Sequence, residues 1–345
     1  MTGPAGARPA PVSAVVLTYN RKQTLLRLLD RLADPALGLD EVVVVDSGST
    51  DGTAEAVRAR PDVVLVEPGS NVAVAGRNLG ARAARNELLL MLDDDAYPVP
   101  GAVEALCAAL AAVPATAVVG GLVLDVEADG QVLKSHEVGT FDWFLRGGRR
   151  GEAPVGGWPC FFFPEGASLV RRTPYFEVGG YFEPYFFATS EVDLTTRLVG
   201  AGYDVRYEPR AQFHHLKVTE GRTGSSRVLR YRVRNQIWYF WRHFPTALAV
   251  RRIVAYAGFD LIEALAVGAV RDYAGGLVDS WRQRDAVRGT RSPLPRAVLR
   301  RAELNRGRIH LRLLAEQLTR KTLRRVGGRP APQPEGVVNP PADAA

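Results

Sequence analysis

Cysteine is scarce in this 345-residue chain: Cys107 and Cys160 lie far apart and match no metal-binding or redox spacing. Such sparse use fits a reducing compartment and predicts a cytoplasmic protein. Long apolar runs are missing as well. No stretch of 18 uncharged apolar residues occurs, and the nearest, Ile253 to Val270, contains Asp260 and Glu263, so no membrane span is expected. Residues 1–11 are rich in Gly, Ala and Pro and lack the apolar centre of an export signal, which predicts a disordered start and no export. No Gly-x-Gly-x-x-Gly follows the first apolar run, and no phosphate-loop pattern is present. Nicotinamide-dependent dehydrogenases and P-loop enzymes are thereby disfavoured.

Charge is plentiful but unevenly placed. The net charge of +7 resolves into −7 over residues 1–219, +16 over residues 220–330 and −2 beyond. A basic segment attached to an acidic domain suits an anionic partner such as membrane lipid, nucleic acid or a phosphorylated acceptor. A solvated, Arg-rich helix surface is the plainer alternative. No nucleic-acid recognition motif is present, so nucleic acid is not an expected partner.

The order of elements follows from periodicity. Val12–Leu17, Glu41–Val45, Val63–Val66 and Leu88–Leu92 are short apolar runs of the kind that form buried parallel strands. Between them, Lys22–Leu32, Thr53–Arg60 and Asn78–Arg85 carry helical spacing. Strands alternating with helices predict an open α/β sheet covered on both faces. Ligands of such sheets bind at the carboxyl ends of the strands. Asp46 ends the second run and Asp93, Asp94 and Asp95 end the fourth, so this rule alone groups them at one site. Residues 120–180 are irregular, Glu191–Gly200 is a predicted helix and Val205–His215 a predicted strand. Residues 226–284 and 296–325 are mostly helical and basic, and 330–345 is rich in Pro and Ala, as disordered tails are.

Three adjacent carboxylates at a strand end repel unless something positive sits there, and a hard divalent cation bridging phosphates is the economical partner. An acidic surface turn is the plain alternative. Asp46 could accept hydrogen bonds from a nucleoside, or could cap an Asx-type turn over Ser47–Gly52. Asp193 and Arg197 stand at i, i+4 and are read as a structural ion pair, while Ser190 and Asp193 are read as a capping box that fixes Glu191 at a helix start.

The motifs themselves resemble a known family. Val15-Val16-Leu17-Thr18-Tyr19-Asn20-Arg21 is similar to the opening strand of family 2 glycosyltransferases. Val43 to Thr53, with Asp46-Ser47-Gly48-Ser49-Thr50-Asp51-Gly52 within it, resembles their second motif. Asn71 with Gly76-Arg77-Asn78-Leu79-Gly80 resembles the third, and Leu92-Asp93-Asp94-Asp95 the metal motif; Ala73 departs from the family, which often has Gly there. More loosely, Gly166-Ala167 and Val178 to Glu183 resemble the acceptor-side segment. Ser190-Glu191-Val192-Asp193-Leu194 resembles the acidic base motif, with Ser190 in place of its first acid, and Pro209 to His215 resembles a strand ending on a metal-binding histidine.

The resemblance implies a GT-A fold, an open and mostly parallel sheet flanked by helices. It places the catalytic domain at residues 12–219, in a nucleotide-sugar half (12–100) and an acceptor half (101–219). A basic helical extension (220–328) and a disordered tail (329–345) would follow. It implies an inverting transfer of one sugar from a nucleotide-diphosphate sugar to an acceptor hydroxyl. The acceptor would be a lipid-linked glycan, a polysaccharide or a small natural product. Glu191 would be the catalytic base; Thr18, Tyr19, Asn20, Arg21, Asp46, Arg77, Asn78, Asp93, Asp94 and Gly166 would bind substrate. Asp95, Asp93 and His215 would hold Mg²⁺ or Mn²⁺, with His214 as the alternative histidine. The Gln-x-x-Arg-Trp motif of processive synthases is absent, which argues against polymer extrusion. In the extension the aromatics are expected to pack as core, and the outer arginines to touch an anionic membrane at its inner face. A sugar nucleotidyltransferase and a non-catalytic sugar-nucleotide or lipid-binding protein on the same scaffold are the rival readings.

Overall fold

Alternating apolar and β-branched residues after Pro11 make strand β1 (Val12–Thr18), and the leucine spacing of the next segment makes helix α1 (Lys22–Leu32). The chain continues through β2 (Glu41–Asp46), α2 (Thr53–Arg58), β3 (Val63–Val66), α3 (Gly76–Ala83) and β4 (Leu88–Asp93). Next come β5 (Ala96–Pro98), α4 (Ala102–Ala112), β6 (Thr116–Val126) and β7 (Val132–His136). After them run β8 (Trp158–Pro159), β9 (Ala167–Arg171), α5 (Arg172–Glu177), α6 (Ser190–Gly200) and β10 (Asp204–Leu216). Helices α7 (Ser225–His243), α8 (Thr246–Val267), α9 (Val270–Arg282) and α10 (Arg296–Arg301) complete the order. This computed structural model describes residues 10–127, 130–136, 152–216 and 225–301. The expectations for residues 1–9, for the helix beyond 301 and for the C-terminal tail lie outside those residues.

The strands form one sheet in the order β3-β2-β1-β4-β9-β6-β10-β5, with β7 added beside β6 and β8 beside β10. Its first four strands are parallel, as the helix crossovers between them require. Across β4 the sheet becomes mixed. β9 lies antiparallel to both β4 and β6, and β10 returns parallel to β6. The irregular stretch after Gly120 supplies β9, whose ladder with β6 has no helix between the partners and so left no periodic signature.

Strand alternation divides the core. Val12, Ala14 and Val16 face one layer with Leu25, Leu28, Leu29 and Leu32 of α1, whereas Val15 faces the other with Ala81 of α3 and Leu194 and Leu198 of α6. The four α1 leucines stand at i, i+3, i+4 and i+7, and burying each contributes about 1.5–3 kcal/mol. Four aromatics of the extension pack as core, Trp238, Tyr239, Phe240 and Phe244 joining Phe161 and Tyr185 in a third cluster, whereas Trp241 and Trp281 are exposed, against expectation.

Candidate active site

Register brings the first site residues together. Thr18 pairs with Asp46 across β1 and β2, and Leu17 pairs with Asp93 across β1 and β4, so three strands end level with one another. Because β9 runs the other way, its start adjoins the end of β4: Ala167 pairs with Leu92, and Gly166 lies beside Asp93. A Cβ added at Gly166 would overlap the Asp93 carboxylate, so only glycine fits.

The three aspartates divide their partners. Asp94 is buried, accepts a bond from the Thr18 hydroxyl at 2.8 Å and pairs with Arg21 at 2.7 Å. Burial pushes its carboxyl up to about 6, against the pull of Arg21. Asp95 takes the same Arg21 nitrogen at 2.8 Å and faces His215 Nε2 at 3.3 Å; against the effect of burial, His215 and Arg21 hold its carboxyl below the usual range. Asp93 is bound instead by Arg77, which also donates to the Leu92 carbonyl at 3.1 Å.

The second motif builds a turn. Asp46 Oδ1 accepts from the Ser49 backbone N–H at 2.9 Å, so the Asx-turn role is realised and Asp46 is buried beneath it. Asn20, at φ 52, accepts from the Thr50 N–H at 2.7 Å and joins the first motif to the second. Tyr19 next to it is exposed. Asn78 points inward. Its amide oxygen takes the Tyr181 N–H at 2.9 Å and the Tyr175 hydroxyl at 2.5 Å, while its nitrogen donates to the Tyr181 carbonyl at 2.9 Å. Both ends of that side chain are spent on the segment ahead of α6, which departs from the expected substrate contact. Ala73 adopts φ 46, the left-handed conformation that explains why glycine is frequent there in the family.

Glu191 lies in the first turn of α6, but the expected cap does not form. Thr189 is the N-cap, at φ 68 and with no side-chain cap bond. Ser190 is the first helical residue, and its hydroxyl has no partner among the described residues. Asp193 turns away from the helix start because stronger partners claim it: Arg197 at 2.7 Å, His243 at 2.6 Å, the Tyr185 hydroxyl at 3.0 Å, and Arg242. The expected ion pair with Arg197 is therefore one edge of a buried cluster.

Sequence reasoning missed Glu165. Burial raises its carboxyl well above the usual range, and the charge of Glu191 adds to that; Arg77 and Asp93 also act on both acids. Burial raises Glu191 likewise. Glu165 Oε1 and Arg77 Nε are buried with no hydrogen-bond partner of strict geometry among the described residues, and the Tyr181 hydroxyl lies within hydrogen-bonding reach of the Glu165 carboxyl. Unspent polar atoms around two carboxyls make a site prepared for a polar substrate or for water. The only available signal for Glu165 was its place one residue ahead of Gly166.

The segment that presents Glu191 is strained. Phe186, Ala188 and Thr189 all have positive φ (60, 64 and 68). Asn235 of α7 holds it, its amide nitrogen 3.0, 2.6 and 3.0 Å from the carbonyl oxygens of Tyr185, Phe187 and Ala188. Arg234 adds bonds to the carbonyls of Pro184 and Tyr185 at 3.0 and 2.8 Å.

Residues 13–179 match the glycosyl transferase family 2 model. The chain carries a family 2 glycosyltransferase domain. It is 28% identical to the N-acetylglucosaminyl-diphospho-decaprenol L-rhamnosyltransferase of Mycobacterium tuberculosis, over 66% of this chain and 84% of that protein. It is 30% identical to the pre-mycofactocin glycosyltransferase of the same organism, over 66% of this chain and only 47% of that longer protein. Among solved structures, GalNAc-T7 with UDP, GalNAc and Mn²⁺ superposes with a TM-score of 0.53 at 16% identity, over 69% of this chain and 51% of that one. That likeness shows the GT-A fold. The protein is accordingly a glycosyltransferase.

In this glycosyltransferase the expected metal set does not assemble in full. Among the described residues no three His, Cys, Asp or Glu groups converge to hold an ion. Asp93 is the residue that stands apart, because Arg77 holds it. Asp95 and His215 are the two members of the set that lie side by side. His215 Nε2 faces Asp95 while its Nδ1 lies 2.8 Å from Asp125, which in turn pairs with His136 at 2.9 Å. A carboxylate behind one imidazole nitrogen is how metal-binding histidines are oriented, and here the other nitrogen is hydrogen-bonded to Asp95. The hydrogen bonds to Asp125 and then Asp95 raise His215 to about 10. His214 points to Tyr97, its Nδ1 3.3 Å from the hydroxyl, and is not placed with Asp95.

Proposed function

We propose that this glycosyltransferase moves one sugar from a nucleotide-diphosphate sugar to an acceptor hydroxyl with inversion, using Glu191 as general base. The observation that carries the reading is Glu191 in the first turn of α6, with its carboxyl raised by burial and within reach of the charges of Arg77 and Asp93 at the carboxyl ends of the parallel strands. A raised carboxylate is a stronger base, matched to an alcohol that is acidic only in the transition state. Glu191 takes the hydroxyl proton as the acceptor oxygen attacks C1, and the C1–oxygen bond to the nucleoside diphosphate breaks on the opposite face. One displacement inverts the anomeric centre.

On the donor side, the Ser47–Gly52 turn and residues 18–21 line the nucleoside. Asp95 and His215 would hold a Mg²⁺ or Mn²⁺ ion, whose chemistry is neutralisation of charge on the departing diphosphate. Donor phosphates commonly complete such a sphere, since Mg²⁺ is usually bound by only one or two protein carboxylates. Arg21, paired with both Asp94 and Asp95, is the local cation available to the same oxygens. The rhamnosyltransferase among the relatives takes, by its name, a decaprenol-linked acceptor, and a lipid-linked acceptor with a hexosyl or deoxyhexosyl donor is our reading here.

The test is donor hydrolysis and binding across a panel of nucleotide sugars, with Mn²⁺ or with EDTA, for the wild type and Asp95→Ala. Metal-dependent release of nucleoside diphosphate from one donor, lost in the variant, is expected. Failure of the folded protein to bind any nucleotide sugar would overturn the reading.

A further inference from the structure

Helix α8 has an outer face that no part of the catalytic site uses. Its inner face, with Ala249, Arg252, Asp260 and Ala264, is buried. Both of its acids are drawn to that side by Arg232 of α7, which pairs with Asp260 at 2.9 Å and Glu263 at 2.8 Å. Opposite them, Val250, Val254, Leu261, Ile262 and Leu265 face solvent, Val254 at 67% and Leu265 at 64% exposure. The only charged side chain of α8 on this face is Arg251.

Helix α9 repeats the arrangement. Tyr273 and Leu277 pack inward against the α7 cluster, while Val270, Val278 and Trp281 stand at i, i+8 and i+11 on an outer stripe. Exposed Arg271 and Arg282 flank it, and the Arg284 guanidinium lies 4.3 Å from the ring of Trp281, itself 69% exposed. Nine of the fifteen large apolar side chains exposed among the described residues lie on these two helices. A solvated helix carries polar residues on its outer face, and a large apolar patch marks an interaction site.

We propose that the outer faces of α8 and α9 lie in the plane of a bilayer rich in anionic lipid and dock the enzyme there. Three features select that occupant. The patch is rimmed by arginines, and the acids of α8 are withdrawn. Trp281 under Arg284 joins an apolar body to a cation, the combination found at headgroup depth. No described helix is long and apolar enough to cross a membrane, so the contact is interfacial.

The experiment is co-sedimentation of the full chain with phosphatidylcholine vesicles made with and without phosphatidylglycerol. Docking is read without turnover, so its failure is distinct from failure of the reaction proposed above. The expected result is binding to the anionic vesicles only, weakened by salt. Val254→Asp with Leu265→Asp should lower it by roughly tenfold or more. Arg251→Glu with Arg271→Glu should also lower it, and all variants should keep the wild-type melting temperature and donor hydrolysis. Absence of sedimentation, or equal sedimentation of wild type and both variants, would overturn the assignment. So would concentration-dependent self-association that both variants abolish without vesicle binding, because the patch would then be covered by a second copy.

Discussion

The base role proposed for Glu191 draws on where α6 begins. Its carboxyl is raised by burial, flanked by Glu165 and within reach of Arg77 and Asp93, so the proton it accepts is held more tightly than by a solvated glutamate. Glu191→Gln keeps the shape and removes the proposed base. The turnover number should fall by about 10²- to 10⁴-fold while the donor dissociation constant stays within a few-fold, measured by calorimetry beside steady-state rates. A loss smaller than about tenfold would remove Glu191 from that role. Which residues were legible at this scale follows a simple rule. Asp93 to Asp95, Glu191 and His215 lie on elements whose ends a sequence can locate. Glu165, Asp125 and Asn235 act across contacts that no spacing encodes. The pairing of Asp93 with Arg77 was hidden for the same reason, the two being 16 residues apart on different elements.

Strain belongs to the segment between Tyr185 and α6. Three non-glycine residues with positive φ cost about 1–3 kcal/mol each unless neighbours impose the conformation, and the Asn235 amide is the neighbour that reaches three of the carbonyls. If Glu191 is the base as proposed, Asn235 positions it from a helix outside the matched family region. In Asn235→Ala the buried carbonyls lose their donor, costing about 1–3 kcal/mol of stability. Misplacement of the base should lower turnover by about 10²-fold with the donor KM unchanged. A purely structural role would lower stability and leave the turnover of the folded fraction intact, so activity per folded molecule, set beside denaturant melts, decides the matter.

For the molecule as a whole, Asp193 is the tie between the α/β sheet and the helical extension. Burial alone would raise its pKa, yet Arg197, His243 and Arg242 outweigh it and hold the carboxyl well below the usual range. Asp193→Asn leaves Arg197 and Arg242 uncompensated and should destabilise the protein by about 3–5 kcal/mol in denaturant titrations near neutral pH. The sign with pH follows from the depressed pKa. The stabilisation is fully present above the ordinary carboxylate pKa of about 4 and is lost as pH falls through the lower folded value. The gap between wild type and variant should therefore hold above about pH 5 and narrow below about pH 4. A gap independent of pH down to acid unfolding would remove the ionic origin.

By itself the sequence determined the parallel half of the sheet, the helices that cover it and the line of acids at its strand ends. Those features rest on local periodicity and on the rule that parallel strands end together, which needs no knowledge of distant contacts. Tertiary structure alone decided the antiparallel insertion of β9 between β4 and β6, which brings Gly166 and Glu165 to Asp93 and Glu191. It also decided the division of the aspartates between Arg77 and Arg21, and the use of α7 to hold the strained approach to α6. Each of these joins residues far apart in the chain. Their partners are selected by burial, where an unpaired charge or carbonyl is costly, and burial is a property of the assembled fold.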